Sequence, residues 1–374
     1  MPFLRSDDEA LIEQVVTEFA RDHIGLEAAE ELDRHDRFPD EFVAAGAQLG
    51  LTALTLSEAE GGAGAGPTAY ALALAAVARF CPNTAAVLAA HNGLGCRILA
   101  EAQNQPDLLA AAASGELVCT LATEEAHGGD KTRFGTVARP VEGGGWSITG
   151  MKVWGLAAAG AKHFLVLAKT GDGPTWFRVA AGAKGLAIGH DEPLLGLRAS
   201  GIRTVYLTDV RVPDDAVVGE PGAGVALWGQ AQPWLRVGAA ACLVGAVEGA
   251  HAAAVDFAES RVQFGKPIAT FQAVSDAVTH VDMTLAAARA LVLEAAAHLG
   301  SDDAALWAAR AKGFAADAAV DLTRKAIRIQ GGTGFMREGG TERFARDVRA
   351  LQFLGEPPFA ARETMKKVVL DVAW

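Results

Sequence analysis

The chain changes character twice along its length. Between about 118 and 218, short β-branched and aromatic runs alternate with turn residues such as Gly143-Gly144-Gly145 and Gly171-Asp172-Gly173. On both sides of that block, apolar residues recur at helical spacing in long, alanine-rich stretches. A helical segment, a β unit of about 100 residues and a second helical segment form an α+β multidomain chain. We expect an N-terminal helical domain over 1–117, a central β-barrel or sandwich domain over 118–222, and a C-terminal four-helix bundle over 223–374. Predicted strands cover 146–148, 153–154, 164–167, 176–179, 186–188 and 205–207; the predicted bundle helices cover 237–260, 271–299, 302–329 and 342–353 onward. Near the start, Ser6 or Asp7 is a candidate cap for a helix carrying Leu11, Val15, Val16 and Phe19. Pro39 opens another helix, and further helices over 69–80 and 84–99 are separated at Pro82.

Composition narrows the function. A net charge of -12 argues against a nucleic-acid surface, and 51% apolar residues are ample for a core. The first residues show neither an apolar core nor a basic leader, so no signal peptide is expected. The apolar run from Val237 to Val247 stops at Glu248, short of the roughly 20 residues a bilayer span needs. Cys81, Cys96, Cys119 and Cys242 are widely spaced and read as buried thiols of a reducing, cytoplasmic compartment. The nine histidines show no metal-ligand spacing, so no metal is expected, and His91 reads as a core or pocket-wall residue. The loop from Glu60 to Pro67 is glycine-rich but lacks the spacing of a phosphate cradle.

The stretch from Arg261 to Gln272 breaks two helical runs at Gly265 and Pro267, and it presents a guanidinium, an aromatic ring and an amide. Its pattern, Arg-x-x-Phe-Gly-x-Pro-Ile-x-x-Phe-Gln, resembles the corresponding link in the acyl-CoA dehydrogenase family of flavoproteins. Other signatures keep the family's order across nearly the whole chain. Thr123-Glu124 followed by Gly128-Gly129-Asp130 resembles a Thr-Glu-Pro-x-x-Gly-Ser-Asp loop. Lys152-Val153-Trp154, Asp209-Val210-Arg211-Val212-Pro213, Gly331-Gly332-Thr333-Gly334-Phe335 and Arg346-Asp347 resemble the family's later motifs.

The resemblance implies FAD as cofactor. Leu121 and Thr123 would meet the ring edge, with Gly129 and Leu156 nearby and Trp154 as a wall. Arg261, Phe264 and Gln272 would meet the adenosine-diphosphate half, typically in a neighbouring subunit, and so would Arg328, Gly331 and Gly332. Leu156 and Gly129 stand where the family has Thr and Ser, and Arg328 where Gln is usual. The implied activity is oxidation of an acyl thioester, borne by CoA or a carrier protein. An α-proton leaves to a glutamate and a β-hydride to flavin N5. Electrons pass to an electron-transfer flavoprotein or similar acceptor. The assembly implied is a homodimer or homotetramer, or a heteromer.

The base is where the chain departs from its relatives. The family's glutamate commonly lies eight residues beyond the Asp of Arg-Asp, and Gly355 holds that place. A minority of the family puts it just before an arginine that corresponds to Arg236, a residue placed near the substrate; here that position is Leu235. Three readings stay open. Glu356, followed by Pro357-Pro358, swings into the pocket as the catalytic base; or the pocket runs a different flavin reaction; or the chain is the non-catalytic subunit of a heteromeric dehydrogenase.

Overall fold

A computed structural model describes residues 6–126 and 135–370. The first unit is helical: α1 (Asp7–His23), α2 (Gly25–Arg34), α3 (Asp40–Gln48), α4 (Gly66–Ala78), α5 (Pro82–Ala90), α6 (Arg97–Ala102) and α7 (Pro106–Ala113). One π-helical turn, His91–Cys96, joins α5 to α6, so the expected single helix over 84–99 is widened in its middle. Ser6 caps α1: its hydroxyl accepts the Glu9 N–H while the Glu9 carboxylate accepts the Ser6 N–H. Helix α4 is apolar on every face because other helices pack around it, among them α1 and α5.

The β unit is one sheet: β1 (Thr120–Ala122), β2 (Val137–Pro140), β3 (Trp146–Gly155), β4 (His163–Lys169), β5 (Pro174–Ala180), β6 (Leu186–Asp191), β7 (Arg203–Val212) and β8 (Val217–Val218). The order is β6-β7-β3-β2-β4-β5-β8, and β1 lies parallel on β4. Strand β4 explains the near-continuous apolar run His-Phe-Leu-Val-Leu-Ala. Phe164, Val166 and Ala168 face the core of the β unit, while Leu165 and Leu167 face the helices. Side chains alternate across a strand, so a strand buried on both faces must be apolar at successive positions.

The last unit holds α8 (Gly224–Ser260), α9 (Gln272–Ala297), α10 (Ala304–Gln330) and α11 (Thr341–Leu351), with α12 (Pro358–Val369) packed on α10. Helix α8 is 37 residues long, about 55 Å at 1.5 Å per residue. The sequence marked only 237–247 as its apolar centre. The whole helix is long and apolar enough for a bilayer, yet most of it is buried between the first and last units. Gly245 permits that fit, since a Cβ there would stand 2.1 Å from the Ala75 carbonyl oxygen of α4. Arg346 and Asp347 fasten the three units together. Arg346 pairs with Asp33 of α2, and Asp347 accepts from the Leu197 amide and from Asn83.

Candidate functional site

Two aromatic side chains singled out from the sequence sit in backbone conformations that side chains other than glycine rarely adopt. Trp154 has φ +54° and Phe264 has φ +52°. Trp154 lies where the β3–β7 register shifts between Lys152 and Gly155, and its indole is 60% exposed. Phe264 and Gly265, with φ +80°, are the two central residues of a hairpin between β9 (Val262–Gln263) and β10 (Lys266–Pro267). The Phe264 ring is 94% exposed. Strain of roughly 1–3 kcal/mol per such residue, with no burial to offset it, is what a binding surface retains.

Around Trp154 the expected ring-side residues converge. The Val153 amide donates to the Glu124 carbonyl at 3.0 Å, which brings Thr123-Glu124 beside Val153-Trp154. Leu121 is buried in a cluster with Leu94, Leu227, Ala231 and Leu235, against which Leu156 and Leu354 pack. Thr123 is buried, its hydroxyl 3.4 Å from a Glu124 carboxylate oxygen. A pair that the sequence did not reveal braces this corner: Lys152, fully buried, donates to Glu125 at 2.8 Å. Against desolvation, Lys152, Thr136 and the Gly135 amide hold the Glu125 carboxyl down at about 2. Gly129 lies outside the described residues.

The residues expected on the nucleotide side gather elsewhere. Arg261 and Gln272 flank the hairpin, and Gln272 is the first residue of α9, whose N-terminus has no side-chain cap. Arg328, Gly331 and Gly332 close α10. Helices α8, α9 and α10 run up, down and up, which puts both groups at one end of the bundle. Gln330 confirms this by donating to the Ala253 carbonyl of α8. Arg261, Phe264, Gln272, Arg328, Gly331 and Gly332 are all exposed, as are the nearby Phe335 and Met336. Uncapped amides and exposed guanidinium groups suit a pyrophosphate.

Helix α8 measures the separation of the two groups. Leu235, at the level of Leu121, and Arg261 are 26 positions apart (261 − 235), which is about 39 Å of helix. The residues expected at the ring and those expected at the adenosine diphosphate thus lie toward different ends of α8.

Glu356 follows Gly355 on the turn between α11 and α12. One of the three open readings takes this carboxylate into the pocket; in the structure it lies on Arg236, with Oε1 2.6 Å from Nε and Oε2 3.0 Å from Nη2. Gln232 adds a donor to Oε2 at 2.8 Å. Arg236 is buried and also reaches Thr364 and the Ala305 carbonyl, so its guanidinium is committed to the bundle. Both carboxylate oxygens are thus engaged in charge-assisted or amide hydrogen bonds within the bundle. Beneath it Lys312, unmarked in the sequence, donates to the carbonyls of Leu351 and Leu354; burial lowers its ammonium to about 8, with Glu356 opposing. Gly355 adopts φ +79°, and a Cβ there would stand 2.4 Å from Leu235 Cδ2. The two positions where an acid was sought thus touch each other, and neither carries one.

Comparison with known proteins gives three matches in chain order. Residues 6–116 match the acyl-CoA dehydrogenase N-terminal domain, 119–210 the middle domain and 222–356 the C-terminal domain. The short-chain specific acyl-CoA dehydrogenase of Clostridium acetobutylicum is 30% identical over 358 residues, covering 93% of this chain and 94% of that protein. The human mitochondrial short-chain enzyme is 31% identical over 331 residues, covering 86% and 80%. The structure of butyryl-CoA dehydrogenase from Megasphaera elsdenii aligns with a TM-score of 0.94 at 27% identity, over 99% of this chain and 100% of that one.

Proposed function

The chain belongs to the acyl-CoA dehydrogenase family, and from that premise we propose that it is an FAD-dependent oxidoreductase acting on an acyl thioester carried by CoA or a carrier protein. The observation that carries the reading is the pair of strained, exposed aromatics, Trp154 and Phe264, each at the centre of one half of a divided nucleotide site. Trp154, Leu121, Thr123 and Leu156 fit the flavin ring; Arg261, Phe264, Gln272, Arg328, Gly331 and Gly332 fit the adenosine diphosphate. With about 39 Å of helix between Leu235 and Arg261, a second copy supplies the missing half, so the working form is a homodimer or larger. Bound there, FAD supplies a two-electron acceptor, discharged to an electron-transfer flavoprotein or similar partner in the cytoplasm.

The chain's own residues do the rest. Leu121, Leu156, Leu235 and Leu354 exclude water from the reacting end of the acyl group. Thr123 offers a hydroxyl that, among the described residues, makes a long contact of 3.4 Å to the Glu124 carboxylate. Glu356 holds the α11–α12 turn to Arg236 and Gln232.

A second reading is favoured by the contact between Gly355 and Leu235: with no acid at either place, the chain runs a different flavin reaction or serves as the non-catalytic subunit of a heteromeric dehydrogenase. Anaerobic mixing of the purified protein with a series of saturated acyl-CoAs separates the two. Bleaching of a yellow protein by one of them supports the first reading. A yellow protein that none of them bleaches supports the second, and a protein that stays colourless after FAD addition sinks the flavin assignment.

A further inference from the structure

We propose that Cys96 and Cys119 are a peroxide-reactive thiol pair, which a small hydroperoxide oxidises to an internal disulfide joining the π-turn to β1. The inference does not depend on the flavin reading.

The π-turn is what assembles the pair. Residues five apart stand about 140° apart around an α-helix, but a π-turn bonds i to i+5 and sets them one above the other. His91 and Cys96 are so related, with Nε2 3.5 Å from Sγ. Cys119, immediately before β1, closes the group through its backbone amide, which donates to His91 Nδ1 at 2.9 Å. Gly95 leaves the room for it: a Cβ there would fall 2.3 Å from Cys119 Cβ and 3.1 Å from its sulfur. The ligand atoms of all three side chains lie within 4.8 Å of one another, and all three residues are buried.

His91 makes this thiol chemistry and not a cation site. Because Nδ1 accepts an amide proton, Nε2 keeps its own proton and donates to the Thr52 carbonyl at 3.0 Å. The ring has no free lone pair for a metal, but it does set a donor beside sulfur. The Cys96 thiol beside it holds the Cys119 thiol below its ordinary range, whereas Cys96 itself, Cys81 and Cys242 are pushed up. All four cysteines are buried, so what sets this pair apart is proximity: a second sulfur stands beside the first, ready to resolve it once oxidised.

In the first step the Cys119 thiolate attacks one oxygen of hydrogen peroxide. The O–O bond breaks, hydroxide leaves and Cys119 becomes a sulfenic acid. The Cys96 sulfur then attacks that sulfur, the S–O bond breaks and water departs. In sum two thiols lose two electrons and two protons, and one peroxide becomes two waters. The new bond ties down the residue two before Leu121 and four before Thr123.

The test treats the intact protein with hydrogen peroxide, quenches by alkylation in denaturant, and maps peptides by mass. We expect a linked peptide pair containing Cys96 and Cys119, lighter by two hydrogens and restored by dithiothreitol. These two thiols should be lost at least about tenfold faster than those of Cys81 and Cys242. Cys96→Ser should halt the reaction at a Cys119 sulfenic acid that dimedone traps. Equal rates at all four cysteines, no linked peptide, or a protein purified with one zinc per chain that protects the pair would each overturn the proposal.

Discussion

Glu356 rests bidentate on Arg236, one residue beyond a glycine whose side-chain space is taken by Leu235. The ion pair is sunk beneath a turn, with 4% and 10% of the two side chains exposed. Breaking such a pair from one side leaves a buried charge without its partner, which costs roughly 3–5 kcal/mol. Arg236→Met should therefore lower the unfolding midpoint sharply, and adding Glu356→Leu to it should recover much of the loss. Thermal denaturation of the two variants decides the point; equal melting of Arg236→Met and the wild type would contradict it.

Glu356→Gln separates anchoring from proton transfer. We expect the amide to keep the rate of flavin reduction by any working acyl-CoA within about threefold, while thermal stability falls. A general base typically contributes 10²–10⁴-fold. A loss of that size in stopped-flow reduction, in a protein that stays folded, would return Glu356 to the catalytic role.

Gly355→Ala should destabilise the α11–α12 turn by more than about 1 kcal/mol, since φ +79° and the 2.4 Å approach to Leu235 Cδ2 act together. Trimming Leu235 to Ala in the same protein relieves the clash but not the backbone strain. Partial recovery of the melting temperature is the expected result; full recovery would show that the left-handed conformation costs nothing here.

Trp154 and Arg261 should give opposite signatures. Trp154→Gly relieves a positive φ on an exposed residue, so the melting temperature of the flavin-free protein should hold or rise while flavin binding weakens. Arg261→Ala should leave the flavin-free chain unchanged and weaken FAD binding by about tenfold or more, the worth of a charge-assisted hydrogen bond. Mixing the two variants should restore a fraction of complete sites if the halves come from different chains. Fluorescence titration and light scattering read both effects.

Glu125 supplies the pH prediction. Its carboxyl is held at about 2 in the folded chain against an ordinary value of 4.5. A depressed carboxyl contributes stability that is present above 4.5 and lost as the pH falls toward 2. Glu125→Gln should lower the melting temperature at pH 7 and flatten its decline between those limits. An unchanged acid limb would mean that the pair with Lys152 carries no net stability.

Some of this was legible in the residues themselves. Periodicity alone separates helix from strand, so the switch near Val118 and the return to helix near Ala223 could be read directly, as could the Ser6 cap with Glu9 three residues later. The aromatic and basic positions of the proposed nucleotide site are legible as family signatures because their types and spacing are local. Three-dimensional placement decided the rest. Leu235 and Arg236 are neighbours in sequence, yet a helix turns about 100° between them. One therefore enters the apolar cluster around Leu121 and the other the bundle, taking Glu356 with it. The partnership of Lys152 with Glu125, the burial of Lys312 and the meeting of Cys96 with Cys119 join residues far apart along the chain. Only tertiary packing sets those distances, and no local pattern encodes them.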